Sequence, residues 1–253
     1  MAFKIEDYAA AGTDTLATSQ SMPLINIIQS GSPQFKKSHP NYEDKKIPGC
    51  EEGDLVFASD NTLLEKPLKV IPCKCEQTYT EWTEDNNLVA VHDLSIVTHD
   101  DYRVGPDPKN SKKQLHKLGN NTLTRTDYYF VKFLQDDTWK DGILAFKSTQ
   151  LAVSQRISNI IKSVSKDEQY TSRKIKAPIF AVQLSLSTIS DSNDKGSWFS
   201  WDITEHYVLN LETDEALLEM GSEAYDSTKL LASPKEQAAL PVSNEADDDT
   251  TPY

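Results

Sequence analysis

The sequence predicts a mainly β chain with one or two helices and an acidic C-terminal arm, on three observations. Short runs of alternating apolar and polar residues are separated by clusters of Gly, Pro, Asn and Asp, as in strands joined by turns. One segment, 151–164, carries apolar residues at helical spacing. The chain ends Glu245-Ala-Asp-Asp-Asp-Thr-Thr-Pro-Tyr253, where adjacent carboxylates repel one another and favour a solvated arm over a packed one. With 253 residues, 38% of them hydrophobic, the chain is long enough to bury a real core.

Residues 1–21, rich in Ala, Thr, Ser and Asp, read as a weakly ordered lead-in, 22–232 as one domain, and 233–253 as a disordered linker and tail. Structure should begin at Pro23, with a strand over 24–28 stopped by Ser30-Gly31-Ser32-Pro33. A second strand at 55–58 turns at Ser59-Asp60-Asn61 and leads to a long run over 68–82. Simple alternation there puts Val70, Pro72, Lys74, Glu76, Thr78, Thr80 and Trp82 on one side. Ile71, Cys73, Cys75, Gln77 and Tyr79 fall on the other, which reads as the core side. Asp85-Asn86-Asn87 turns the chain into 88–91, and such a meander suits a small barrel.

The segment 105–113, with Pro106, Pro108 and three lysines, reads as an exposed basic loop. Strands at 128–134 and 142–146 pair across Asp136-Asp137, and Ser148 is placed to cap the helix that follows. That helix turns Leu151, Val153, Ile157, Ile160, Ile161 and Val164 inward. Arg156, Lys162 and Lys166 lie toward its later turns, where the helix dipole favours cations. Residues 178–204 read as a hairpin with alternation at Phe180, Val182, Leu184 and Leu186, and 212–232 favours helix. No internal repeat is visible.

Charge is unevenly distributed. The net −13 conceals a basic block at 103–176 with 15 cations against 7 anions, whereas 212–253 carries 11 anions against 2 cations. An acidic arm tethered to a basic body can fold back onto it at high effective concentration, and a strong polyanion would displace it.

Three cysteines and no apolar leader point to a reduced, cytoplasmic setting, and no run is long enough for a membrane span. Cys73-Lys-Cys75 lacks the ligand number and spacing of a zinc site, so neither metal nor cofactor is expected. The usual phosphate-loop and hydrolase motifs are absent from the sequence; His92-Asp93 and His99-Asp100-Asp101 are the residues on which a small hydrolase would rest.

Single-stranded nucleic acid needs stacking rings with interleaved cations, and this chain supplies both. Trp82, Tyr128, Trp139 and Trp198 are the expected stacking residues. Arg103, Lys112, Lys113, Lys117, Arg125, Lys132 and Lys140 are the expected phosphate contacts. Tyr129, Val131 and Phe133, on the other face of their strand, read as core, and Trp198 falls opposite Phe199 and Trp201. An alternative is a structural or assembly protein whose aromatics are mostly core and whose tail is an interaction peptide.

Pro23-Leu-Ile-Asn-Ile-Ile-Gln-Ser-Gly-Ser-Pro33, the strand 70–82, Asn193-Asp-Lys-Gly-Ser-Trp198 and the acidic, aromatic-terminated end together resemble bacteriophage single-stranded DNA-binding proteins. The resemblance implies a five-stranded OB-like barrel with extra strands and no enzymatic activity. It also implies sequence-independent coating of DNA during replication, recombination and repair, often as a homodimer in the host cytoplasm. Partner enzymes would be recruited through Asp247, Asp248, Asp249, Pro252 and Tyr253. The two threonines between the aspartates and the proline depart from that pattern.

Overall fold

A computed structural model describes residues 24–85, 88–107, 110–193 and 196–228. The expected lead-in (1–21) and the linker and tail (233–253) lie outside the described residues. What is described is mainly β, and its spine is a pair of 15-residue strands, β4 (Leu68–Trp82) and β8 (Asn121–Gln135). They pair antiparallel from Val70↔Phe133 to Trp82↔Thr122, and each would extend roughly 50 Å at about 3.3 Å per residue. β-Branched and aromatic residues dominate both, which suits a long pleated surface.

Each end of the spine is flanked by different strands. At the proximal end β10 (Val182–Asn193) pairs with the start of β4, and β11 (Gly196–Val208) pairs with β10. There β9 (Thr138–Lys147) pairs with β8 across a turn in which Asp136 and Asp137 both take positive φ, 49° and 58°. At the distal end β5 (Leu88–Asp93) pairs with the last residues of β4. β7 (Asn110–Leu118) pairs with the start of β8, and β6 (Tyr102–Asp107) pairs with β7. The eight strands make one antiparallel sheet whose path ends at β11 and β6; among the described residues it stays open.

A second sheet of β1 (Ile25–Ile27), β2 (Leu55–Phe57) and β3 (Thr62–Leu64) meets β9 through a parallel bridge, Leu24↔Ile143. The α-helices among the described residues are α1 (Tyr42–Lys45), α2 (Leu151–Val164), α3 (Glu168–Thr171) and α4 (Glu215–Ser227), and 3-10 helices span Leu94–Thr98 and Ser148–Gln150.

A bulge at Pro72–Lys74 determines which residues share a face. Val70 stands opposite Phe133, but beyond the bulge Lys74 stands opposite Phe130 and Cys75 opposite Tyr129. The extra residue shifts the alternation by one. The inner face therefore carries Val70 and Pro72, then Cys75, Gln77, Tyr79 and Glu81; the outer face carries Ile71, then Lys74, Glu76, Thr78, Thr80 and Trp82. This corrects the expected division of β4, in which Val70 and Pro72 shared a side with Lys74. The thiols part for the same reason: Cys73 interacts with Lys132 and Cys75 with Tyr129. Burial pushes both thiols up to about 11.

The core lies against the proximal inner face. Tyr129, Val131, Phe133, Leu144, Phe146, Leu184, Leu186 and Trp201 pack there with Ile25, Leu55 and Phe57 of the second sheet and Val153, Ile157 and Val164 of α2. Tyr129 meets Phe146 edge-on at 5.6 Å and Phe57 tilts onto Phe133 at 5.1 Å, geometries that aromatic quadrupoles favour. The Asp127 carboxylate, 2% exposed, accepts bonds from Ser154 Oγ (2.5 Å), Arg125 Nε (3.1 Å) and Gln77 Nε2 (3.2 Å). Tyr129 reaches Ser158 at 3.1 Å, so α2 is fixed to the sheet by polar as well as apolar contacts.

Two local expectations change. Residues 105–107 and 110–113, expected in a loop, belong to the strands β6 and β7, with Pro106 tolerated because β6 is an edge strand. Ser148, at φ 53°, opens a 3-10 turn, and Gln150 occupies the cap of α2.

The second sheet is joined to the β10–β11 hairpin through side chains. Gln29 donates to Phe199 O (2.8 Å) and accepts from Phe199 N (2.9 Å), while Thr188 Oγ1 and Lys66 Nζ both donate to Gly53 O. Gly53 has φ +86°, and a Cβ there would lie 2.5 Å from the Phe199 ring. Gly49, at φ +80°, has nothing within 4 Å of such a Cβ. Gly49→Ala is expected to cost roughly 1 kcal/mol of backbone strain, and Gly53→Ala roughly 1–3 kcal/mol more from overpacking. Chemical denaturation of both variants checks this; equal losses would show that the close approach to Phe199 does not hold.

Candidate nucleic-acid interface

Ladder registers place three of the expected contact residues in one row. Arg103 of β6 stands opposite Lys117 of β7, Lys117 opposite Thr122 of β8, and Thr122 opposite Trp82 of β4. Directly opposed residues share a face, so Arg103, Lys117, Thr122 and Trp82 line the distal outer face across about 14 Å, three strand spacings. Trp82 and Lys117 are half-buried and Arg103 is exposed. The Arg103 guanidinium donates to the Tyr102 carbonyl at 2.7 Å and also to that of Asp100. Lys112 and Lys113 lie on β7, and their side chains are outside the described residues.

Tyr128, Lys132 and Trp139 share this outer face nearer the proximal end, since Tyr128 is six residues, roughly 20 Å, along β8 from Thr122. Tyr128 is half-buried, and burial raises its phenol above the ordinary value. Lys132 pairs with Asp141 at 2.7 Å. Phe130 between them is 6% exposed beneath Lys74, whose ammonium lies 5.5 Å from the ring and 2.5 Å from Glu76. Lys74 also donates to the Thr228 carbonyl at 3.3 Å, so the last turn of α4 lies on the outer face.

Other expected contacts lie elsewhere. Arg125 is on the inner face, paired with Asp127, and Lys140 is on that face bonding Gln135 at 3.1 Å. Trp198 sits near the tip of the β10–β11 hairpin, opposite Asp191, with its indole donating to Ser200 at 3.1 Å. The hairpin joins β4 at Leu68, fourteen residues or roughly 45 Å from Trp82, so Trp198 does not join the distal row. Phe199 and Trp201 fall on the face opposite Trp198, and Trp201 is 3% exposed.

Sequence reasoning passed over a cluster on the distal inner face. Tyr79, His116 and Tyr102 pack in series, with ring centroids 5.5 and 5.9 Å apart. Beside them Glu81, 6% exposed, accepts from Asn121 (2.6 Å) and pairs with His92 (2.7 Å). These residues come from separate strands, and strand alternation alone carries no signal that they meet. His92 and His99 line an open cleft with Asp93, Ser95 and Thr98. The Ser95 hydroxyl bonds Asp93 rather than an imidazole. Among the described residues, no group of three or more His, Cys, Asp or Glu could hold a metal ion, and no helix is long and apolar enough to cross a membrane.

Burial, then the nearby Arg125 charge, lowers the His116 pKa below its ordinary 6.5, and its Nδ1 meets the Tyr102 hydroxyl. The folded state therefore favours the neutral ring. Its contribution to stability should be complete above the unfolded value, about pH 6.5, and fall as pH drops through that value toward the lowered one. An imidazole NMR titration should place His116 below 6.5; a value at or above it contradicts this packing.

No curated protein and no solved structure matches the chain. A family model described as Pam3 phage gp34-like protein matches residues 2–232, which includes both described sheets, the distal row and the four described α-helices and stops short of the acidic end. On that match, the chain belongs to the Pam3 phage gp34-like protein family, a bacteriophage family.

Proposed function

We propose that this phage protein is a non-enzymatic binder of single-stranded DNA that coats the strand during replication or recombination without reading its sequence. The observation that carries this reading is the in-register row of Arg103, Lys117, Thr122 and Trp82 on one face of the sheet. A ring beside two cations offers stacking, worth roughly 1–3 kcal/mol per base, together with phosphate neutralisation, and neither distinguishes one base from another. The strands β5, β4, β8, β7 and β6 around this row are those we assign to the OB-like unit of the resemblance.

The acidic arm fits the same face. Thr228, the last residue described before the tail, bonds Lys74 on the outer face, eight strand residues or roughly 26 Å from the Trp82 row. The nineteen residues from Thr228 to Asp247 can reach roughly 60 Å when extended. Asp247, Asp248 and Asp249 are therefore able to compete for Arg103 and Lys117, and to recruit replication or recombination enzymes together with Pro252 and Tyr253 once DNA displaces them.

A second reading, a virion structural or assembly protein, is favoured by the pairing of Lys74, Arg125, Lys132 and Arg156 with carboxylates, which neutralises part of the basic block. Tryptophan quenching by oligo(dT) at two salt concentrations separates the two. The DNA reading predicts salt-sensitive binding that a duplex does not match, weakened about 5- to 100-fold by Trp82→Ala. Deleting 245–253 should tighten binding. Absence of oligo(dT) binding by both the full chain and the deletion would sink the DNA reading.

A further inference from the structure

A second cluster of exposed positive charge lies away from the distal row. Lys162 and Lys166, at and just beyond the end of α2, and Arg173, Lys174 and Lys176, beyond α3, are all exposed. None of the five forms an ion pair among the described residues, whereas Lys74, Arg125, Lys132 and Arg156 all do. The two acids between them are Asp167 and Glu168. Asp167 is used as a cap, its Oδ1 accepting from Gln169 N at 3.1 Å.

The segment that carries these cations is fixed in place. Ala177 N donates to Ser165 Oγ at 3.0 Å, which closes residues 165–177 into a loop. Within it Lys174 N bonds Thr171 O (3.1 Å), Ile175 N bonds Tyr170 O (3.2 Å), and Tyr170 is fully buried. Lys174 holds φ 55°, a conformation that costs a non-glycine residue free energy and so implies that the loop is held by its surroundings. Ile175 is 49% exposed among the cations. Five unpaired cations on a stapled loop and an adjoining helix end require little backbone ordering on meeting a polyanion, and release counterions when they do.

We propose that Lys162, Lys166, Arg173, Lys174 and Lys176 form a phosphate-backbone contact surface for single-stranded nucleic acid, separate from the distal row. This rests on the DNA-binding reading and extends it. The row lies on the distal outer face, while α2 packs on the proximal inner face, so one strand contacting both must pass around an edge of the sheet.

The test uses the full chain with oligo(dT) lengths on either side of the wild-type site size, across a salt series. Two variants are compared with wild type. Arg173→Gln/Lys174→Asn/Lys176→Gln keeps a residue that tolerates positive φ at position 174. Lys162→Gln/Lys166→Gln changes only exposed positions, and thermal melting verifies that both variants fold. Removing three phosphate contacts should lower the steepness of log Kobs against log salt by about 2, weaken binding about 10- to 100-fold at 0.1 M salt, and shorten the site size. Wild-type binding with unchanged affinity and slope in both variants would overturn the patch and leave the DNA reading standing. Failure of wild type to bind oligo(dT) would overturn both. If the variants lose affinity only for a synthetic peptide of residues 245–253, the patch serves an acidic peptide and the nucleic-acid assignment is wrong.

Discussion

The β4–β8 ladder, interrupted by its bulge at Pro72–Lys74, is the constraint on which the rest of the structure depends. Every other strand of the large sheet takes its place from one end of this pair, directly or through a neighbour. The bulge adds one residue to β4, so one strand presents Val70 to the core before it and Cys75 and Tyr79 after it. Without that shift the proximal core and the distal outer row could not both be in register. Lys74, Glu76 and Trp82 would then lie on the face of Val70.

The same strand pair separates stability from exposure. Proximally, α2 and the second sheet bury aromatic and aliphatic side chains against it. Distally, Val89, Leu94, Val97 and Val104 are exposed by 40% or more, and the buried groups include Glu81, Thr78 and Thr80. The distal end therefore holds its shape through ladders and polar contacts such as Glu81 with His92 and Asn121, with less help from hydrophobic burial. It is the end at which the outer face carries Trp82, Lys117 and Arg103.

Much of this was legible in the sequence wherever local pattern decides local structure. The strand over 68–82, the turn at Asp136-Asp137, the helix over 151–164 and the core role of Tyr129, Val131 and Phe133 all follow from periodicity or turn chemistry. What was missed depends on long-range registration. Pro72 was the one mark of a bulge in Ile-Pro-Cys-Lys, since a proline inside a strand is confined to edges, strand starts and bulges, but simple alternation was carried through it, so the faces of β4 were misassigned. Pro106 and the lysines around it look like a loop until β7 is seen to pair with β8. Among the candidate contacts, Arg125 and Lys132 read as free cations in one dimension, yet Asp127 and Asp141 neutralise them in three. The charges that stay unpaired, Arg173 to Lys176, were counted in the basic block without being singled out.

The claim at the centre of this account is that a single strand of DNA lies on the distal outer face, against Trp82. Photocrosslinking of the full chain to iodouracil-substituted oligo(dT), with adducts mapped by mass spectrometry, tests it most directly. The predicted result is an adduct at Trp82, with any further aromatic adduct at Tyr128 on the same face. Adducts confined to Trp198 at the hairpin tip, or none above the level of an equal concentration of duplex, would contradict it.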